Sequence, residues 1–157
     1  MSAKKWLITG ASGLLGNHFC AKLMAKNQYV IGVKNQHPLS HAVTQEIELD
    51  LFDRQNLNLF LLDTSPDYVI HAAGLTNVDA CEENERTAMT LHVEVAAEIA
   101  QYCQRENKKF IHISTDHLWD GTSPKATEET PLSPVNAYAR SKAAGEQAVT
   151  EANPDAL

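Results

Sequence analysis

The chain has 157 residues, 43% apolar and 21% charged, with 13 Lys and Arg against 20 Asp and Glu for a formal net charge of −7. That is the composition of one globular domain with a sizeable core, and it excludes disordered, collagen-like and coiled-coil chains. The negative charge argues against a general nucleic-acid binder, which needs a basic face, but leaves open a nucleotide ligand held locally by backbone amides.

In chain order, Lys5–Thr9 is a short apolar run ending at Gly10 and reads as a buried strand. Leu14 to Asn27 carries Leu15, Phe19 and Leu23 at helical spacing. Tyr29–Val33 is a second strand rich in β-branched residues, and Gln36–Ser40, with Pro38, is a loop. Glu46–Leu49 is a short third strand ending at Asp50, and Asp53 caps a helix over 54–62 that Ser65-Pro66 breaks. Asp67–His71 is a fourth strand. Glu82 to Glu106 reads as one long helix with Ala88, Leu91, Val95, Ile99 and Tyr102 on a stripe. Lys109–Ile113 is a fifth strand, Gly121–Pro134 an extended loop, and Asn136–Glu151 a last helix capped by Asn136. Strands that alternate with helices and are apolar on both faces predict an α/β fold, a parallel sheet covered on both sides.

Cys20, Cys81 and Cys103 form no Cys-x-x-Cys pair and read as small buried apolar residues. Neither a signal peptide nor an apolar run near 18 residues is evident, so the expected location is the cytoplasm, with no membrane contact. The histidines at 37, 41, 71, 112 and 117 lack metal-ligand spacing, so no metal is expected.

Gly10, Gly13 and Gly16 lie directly between the first strand and the first helix, with Ser12 among them. Gly10 allows a tight turn, Gly13 lets a pyrophosphate reach the backbone, and Gly16 lets the helix pack on the strand. The first amides of the helix then face the phosphates, which predicts dinucleotide binding. The second strand ends at Lys34 and Asn35 without the acid that often binds the NAD ribose. Lys34 either faces a 2′-phosphate, which favours NADP over NAD, or is a solvated surface lysine. Asp50 either accepts from an adenine amino group or closes a turn.

Tyr138 and Lys142 are four residues apart on one helix face. An ammonium beside a phenol favours the phenolate, so the pair can pass a proton to or from a carbinol oxygen while hydride moves at a nicotinamide. The alternative is an exposed helix pair. Ser114 and Thr115 end the fifth strand, where a hydroxyl either binds a substrate oxygen or serves a turn.

Gly10-x-x-Gly13-x-x-Gly16, His71-Ala-Ala-Gly74, Ser114-Thr-Asp116 with Asp120-Gly121, and Tyr138-Ala-Arg-Ser-Lys142 occur in that order. Together they resemble the extended short-chain dehydrogenase/reductase family. The finer likeness is to dTDP-4-dehydrorhamnose reductase-like (RmlD-like) sugar-nucleotide enzymes, through Leu75–Glu82, and Ser114–Gly121 followed by Thr127-Glu128, Pro131, Pro134 and Ser141–Glu146. The resemblance covers nearly the whole chain. It implies NAD(P)-dependent reduction of a nucleotide-linked 4-keto-6-deoxy sugar. In it Tyr138 is the general acid, Lys142 lowers its pKa and holds the nicotinamide ribose, and Thr115 orients the substrate oxygen. Asp116 and His117 lie beside the substrate. Gly13, Leu14, Leu15, Asp50, Leu51, Ala72, Ala73, Gly74 and Thr76 line the cofactor.

The chain departs from that pattern. His117 stands where the family usually has tyrosine. His92 stands where it usually has an asparagine that shapes a helix distortion and a proton relay, so the relay is expected to be weakened, or both histidines serve packing. Family members also continue into more strands and a smaller C-terminal domain that binds the sugar nucleotide. This chain stops where the sixth strand would begin, after Asp155-Ala-Leu157. The expectation is therefore one Rossmann-like, doubly wound NAD(P)-binding domain over residues 1–157, truncated before the sixth strand, that binds cofactor more readily than it turns over substrate. Two other readings stay open. One is a non-catalytic dinucleotide-binding regulatory subunit resembling the methionine adenosyltransferase β subunit. The other is an epimerase or dehydratase, although no Glu follows Asp116. Relatives often dimerise through two helices, here 82–106 and 136–151.

Overall fold

The central strands are apolar on both sides, so they must be covered on both. A computed structural model of the protein, which describes residues 3–122 and 125–157, shows how. Strands β1 (Lys5–Thr9), β2 (Tyr29–Lys34), β3 (Gln45–Glu48), β4 (Tyr68–His71) and β5 (Lys109–His112) form one parallel sheet in the order β3-β2-β1-β4-β5. The register aligns Ile31, Leu7, Val69 and Phe110 in one row and Gly32, Ile8, Ile70 and Ile111 in the next. Because side chains alternate along a strand, the first row points into a core with Leu57, Leu61, Ile99, Tyr102 and Val149. These come from helices α2 (Arg54–Thr64), α5 (Ala96–Arg105) and α6 (Ala137–Ala152). The second row meets Cys20, Phe19 and Leu23 of α1 (Leu14–Ala25), with Leu39 and Val43 of the loop before β3. Chain order reverses between β1 and β4, and a crevice opens there at the carboxyl ends of the strands.

The doubly wound α/β architecture is the expected one. Several boundaries move for local reasons. Helix α1 ends at Ala25 because Asn27 is left-handed (φ 53°), and the amides of Asn27 and Gln28 turn back to Met24 and Leu23. Helix α2 runs to Thr64 and ends at Ser65, also left-handed. The single long helix expected over 82–106 is corrected to a broken one. Helix α3 (Val78–Glu83) starts earlier, on an Asn77 cap. Asn84 then leaves helical geometry (φ −143°) and caps α4 (Glu85–Met89) by accepting from the Thr87 amide. Thr90–Val95 is π-helical, and α5 follows. Helix α6 begins after Asn136, as expected. The expected loop over 121–134 has two residues, 123 and 124, outside the described set. All three cysteines are free and buried.

At the sheet edge the Leu157 amide donates to the Phe110 carbonyl (3.0 Å), and the His112 amide donates to the Leu157 carbonyl (2.7 Å). These are the two bonds of a parallel ladder around Ile111, so Leu157 occupies the sixth strand position.

Candidate active site

Two adjoining cavities fill the crevice. The first, about 250 Å³, lies against the ends of β1, β2 and β3. The glycine turn lines it through Gly10, Ser12 and Gly13, and Lys34, Asp50, Leu51 and Ala72 to Gly74 also contribute. The second, about 430 Å³, shares Gly13 and the 72–74 turn. It runs to Leu14, Leu15, Gly16 and Thr76 on one side, and to Ser114, Tyr138 and Lys142 on the other.

The glycine turn is shaped as its spacing predicts. Gly10 has φ +64°, and a Cβ there would lie 2.7 Å from the Ala72 carbonyl oxygen. A Cβ on Gly16 would collide with the Gly10 carbonyl, so the helix lies directly on the turn. Helix α1 also differs from its neighbours at its start. Asp53, Asn77, Asn84 and Asn136 each cap a helix with a side-chain oxygen, whereas among the described residues no side chain caps α1 and its first turn holds no acid. Its leading amides thus face the crevice with the positive end of the helix dipole. Leu14, 84% exposed, and Leu15 form an apolar rim beside them.

Lys34 lines the first cavity but is not a solvated lysine. Its ammonium donates to the Glu48 carboxylate at 2.8 Å and lies 3.9 Å from Glu46. Lys34 holds the Glu48 carboxyl below its ordinary pKa. Asp50 closes a turn, accepting the Phe52 amide at 2.9 Å, and still borders the cavity.

The second cavity is built from buried polar side chains. Helix α6 is fixed at its start by the Asn136 cap and by Glu82, whose carboxylate accepts the Ala137 amide at 2.5 Å. Arg140 adds an exposed pair with Glu85 at 3.2 Å. This placement brings Tyr138 and Lys142 together at the cavity wall. Lys142 is only 5% exposed. It donates to the Ile113 carbonyl at 2.5 Å, and burial pulls its pKa down to about 8. Three histidines lie near enough to feel its charge. His71 shares a 2.8 Å bond with Thr9, and its ring stacks 5.8 Å from His112. Burial holds His71 well below the usual imidazole range and brings His92 and His112 to about 4, with the Lys142 charge adding to each.

At the end of β5 it is Ser114 that lines the cavity, its hydroxyl buried without a partner among the described residues. Thr115 is next to it and uses its hydroxyl to accept the His117 amide at 3.2 Å. Asp116 and His117 are exposed and line neither cavity, although the His117 ring meets the Tyr138 ring edge-on at 6.1 Å. Sequence reasoning did not place His92 in the cavity wall. Its two ring nitrogens are taken by the Leu75 amide (2.9 Å) and the Ser141 hydroxyl (2.8 Å), so the expected proton relay through this position has no free ring nitrogen. Among the described residues no helix is long and apolar enough to cross a membrane.

Residues 4–157 match the family model described as RmlD substrate binding domain. The chain belongs to this family. It is similar to a dTDP-4-keto-6-deoxy-D-glucose reductase of Streptomyces niveus, 34% identical over 152 residues that make up 96% of this chain and 49% of that protein. It is also similar to methionine adenosyltransferase 2 subunit beta of Rattus norvegicus, 30% identical over 96% of this chain and 44% of that protein. A dTDP-4-dehydrorhamnose reductase of Bacillus anthracis str. Ames, solved in complex with NADP, superposes with a TM-score of 0.84. It is 26% identical, and the match covers 99% of this chain and 52% of that one. The chain therefore spans about half the length of the relatives it matches.

Proposed function

We propose that these 157 residues form the NAD(P)-binding domain of a reductase acting on a nucleotide-linked 4-keto-6-deoxy sugar. One observation carries this reading: the glycine turn and the Tyr138–Lys142 pair, 122 positions or more apart in sequence, border one continuous crevice. The residues present fit a dinucleotide. The helix start facing the crevice has no side-chain cap, a Cβ on Gly10 would meet the 72–73 backbone, and the Ser114 hydroxyl is unpartnered among the described residues. Gly10, Ser12, Gly13 and the first amides of α1 would hold the pyrophosphate. Lys34, Asp50 and Leu51 would border the adenosine half, and Ala72 to Gly74, Thr76, Tyr138 and Lys142 the nicotinamide half. When bound, the nicotinamide supplies hydride.

The chain's own groups then handle the proton. Tyr138 gives its phenolic proton to the substrate carbonyl oxygen. The Lys142 ammonium has three donors; one is spent on Ile113, leaving two for the phenol oxygen and a ribose hydroxyl. Thr115, with Ser114 beside it, steadies the carbonyl oxygen, and Asp116 and His117 flank the sugar. Lys34 favours NADP if it exchanges Glu48 for a 2′-phosphate. The helical segments 82–106 and 136–151 are the proposed dimer surface, which size-exclusion chromatography checks.

Fluorescence titration with NADPH and NADH, followed by addition of a dTDP-4-keto-6-deoxy sugar, tests the reading. Cofactor binding with turnover supports it. Binding without turnover, in a protein that also carries the relatives' remaining half, favours the regulatory-subunit reading that the likeness to the methionine adenosyltransferase subunit keeps open. Absence of any cofactor binding sinks both.

A further inference from the structure

The π-helical stretch Thr90–Val95 lies between α4 and α5, packs against α6 and reaches the 72–75 turn through His92. Single-turn π segments swing side chains off the regular helical stripe and recur at functional positions. The residue swung here is His92, 1% exposed, at the wall of the second cavity.

The bonds around His92 fix its state by elimination. The Leu75 amide is a donor, so Nε2 must carry the lone pair. A neutral ring then bears its proton on Nδ1 and donates it to the Ser141 hydroxyl oxygen. The Ser141 hydroxyl in turn donates to the Tyr138 carbonyl at 2.9 Å. One directed chain thus runs from the turn after β4, through the π segment, to the backbone of the residue that carries the phenol. Packing tightens it. A Cβ on Gly145 would collide with the His92 carbonyl, so this glycine lets α6 press on the π segment. A Cβ on Gly74 would lie 3.4 Å from Nε2. The Tyr138 ring meets the imidazole edge-on at 5.8 Å.

We infer that His92 is a positioning residue: through Leu75 and Ser141 it sets the distance between the 72–75 turn and Tyr138 across the second cavity. The inference rests on reading that cavity as the nicotinamide site, and it assigns His92 no proton transfer. The bracket needs the neutral ring, because a proton on Nε2 would oppose the Leu75 amide. The groups that face the ring are Lys142, Tyr138 and Ser141 from α6, His71 from β4 and His112 from β5. Lys142 adds to burial in keeping the ring neutral.

Two variants test this. Asparagine can accept through Oδ1 and donate through Nδ2, whereas leucine can do neither. His92→Leu is expected to speed hydrogen exchange at the Leu75 amide by about 100-fold, as a local opening would. It should also shift the Tyr138 13Cζ resonance and weaken NADPH binding by about tenfold. His92→Asn is expected to restore all three most of the way. In the unsubstituted chain, the 15N spectrum of His92 should show an Nδ1–H tautomer that does not titrate between pH 5 and about 8. An Nε2–H tautomer, or a leucine variant that melts lower yet keeps the Leu75 exchange rate, the Tyr138 resonance and the NADPH affinity, overturns the inference. If the unsubstituted chain fails to bind NADPH while the tautomer and the Asn rescue of exchange appear, the bracket stands and the proposed function falls.

Discussion

The two cavities of the crevice meet at Gly13 and the 72–74 turn, yet they are made differently. The first is a backbone cradle. Its shape comes from glycines and a helix start, and the cation in its wall, Lys34, is balanced by Glu48 and Glu46. The second has the buried His92 and Lys142 in its wall, with His71 and His112 behind them, and among the described residues none of the four has a carboxylate within salt-bridge reach, although the Glu146 charge acts on Lys142. A cradle of amides tolerates many neighbours, because its binding groups are the same in every sequence. A cluster of desolvated imidazoles beside an ammonium is costly, and it persists only where its bonds and packing hold it.

The largest effect should come from the second cavity. Tyr138→Phe is expected to lower turnover by about 10² to 10⁴ while NADPH affinity changes by less than about threefold, within roughly 0.7 kcal/mol. Stopped assays with the keto sugar and parallel fluorescence titrations separate the two. An active phenylalanine variant would remove the proton-donor role and, with it, the contrast between the halves.

Acid should act next, and again through the second cavity alone. His71, His92 and His112 bind protons less readily folded than unfolded. Their contribution is therefore complete above about pH 6.5, the unfolded value, and is lost as pH falls toward about 4. Each of the two with a value near 4 accounts for a loss of up to roughly 3 kcal/mol on acidification across that window. Urea midpoints measured from pH 7 to 4 should fall steeply. His112→Leu should flatten the slope and leave the neutral-pH midpoint unchanged or higher, since both ring nitrogens of His112 are buried without partners among the described residues. A midpoint that is level with pH would contradict the buried, neutral cluster.

At the glycine turn that the two cavities share, Gly16→Ala should cost about 1–3 kcal/mol through overpacking of α1 on Gly10, and should weaken NADPH and NADH alike. Thermal melts and titrations read both effects. The smallest expected change is Glu48→Gln. Freeing Lys34 from its 2.8 Å partner should shift the NADPH-to-NADH affinity ratio by about three- to tenfold toward NADPH, of order 1 kcal/mol. An unchanged ratio would take Lys34 out of cofactor choice.

How much of this was legible in the sequence depends on the residue. The glycine turn was fully legible, because Gly10 and Gly16 act through backbone geometry set by near neighbours in the chain. The caps Asp53 and Asn136 were legible for the same reason. The break at Asn84 and the π segment were not: a polar residue mid-pattern and a regular apolar stripe both look helical until packing against α6 is known. Lys34 was open between two readings, and only the pairing of β2 with β3, which puts Glu48 opposite it, decided for a third. Ser114 and Thr115 could not be ranked, because which of two adjacent side chains faces a crevice depends on how β5 ends against β4 and α6.

Local chemistry therefore determined, from the sequence alone, the parallel α/β plan, the phosphate-shaped turn and the Tyr138–Lys142 face, each written in spacings of a few residues. Tertiary structure decided what those features meet. It placed Leu157 beside β5, balanced Lys34, brought His71, His92 and His112 near Lys142, and joined Leu75 to Tyr138 through His92. Those facts depend on pairs 14 to 71 positions apart, whose approach is set by sheet order and helix packing rather than by any local rule.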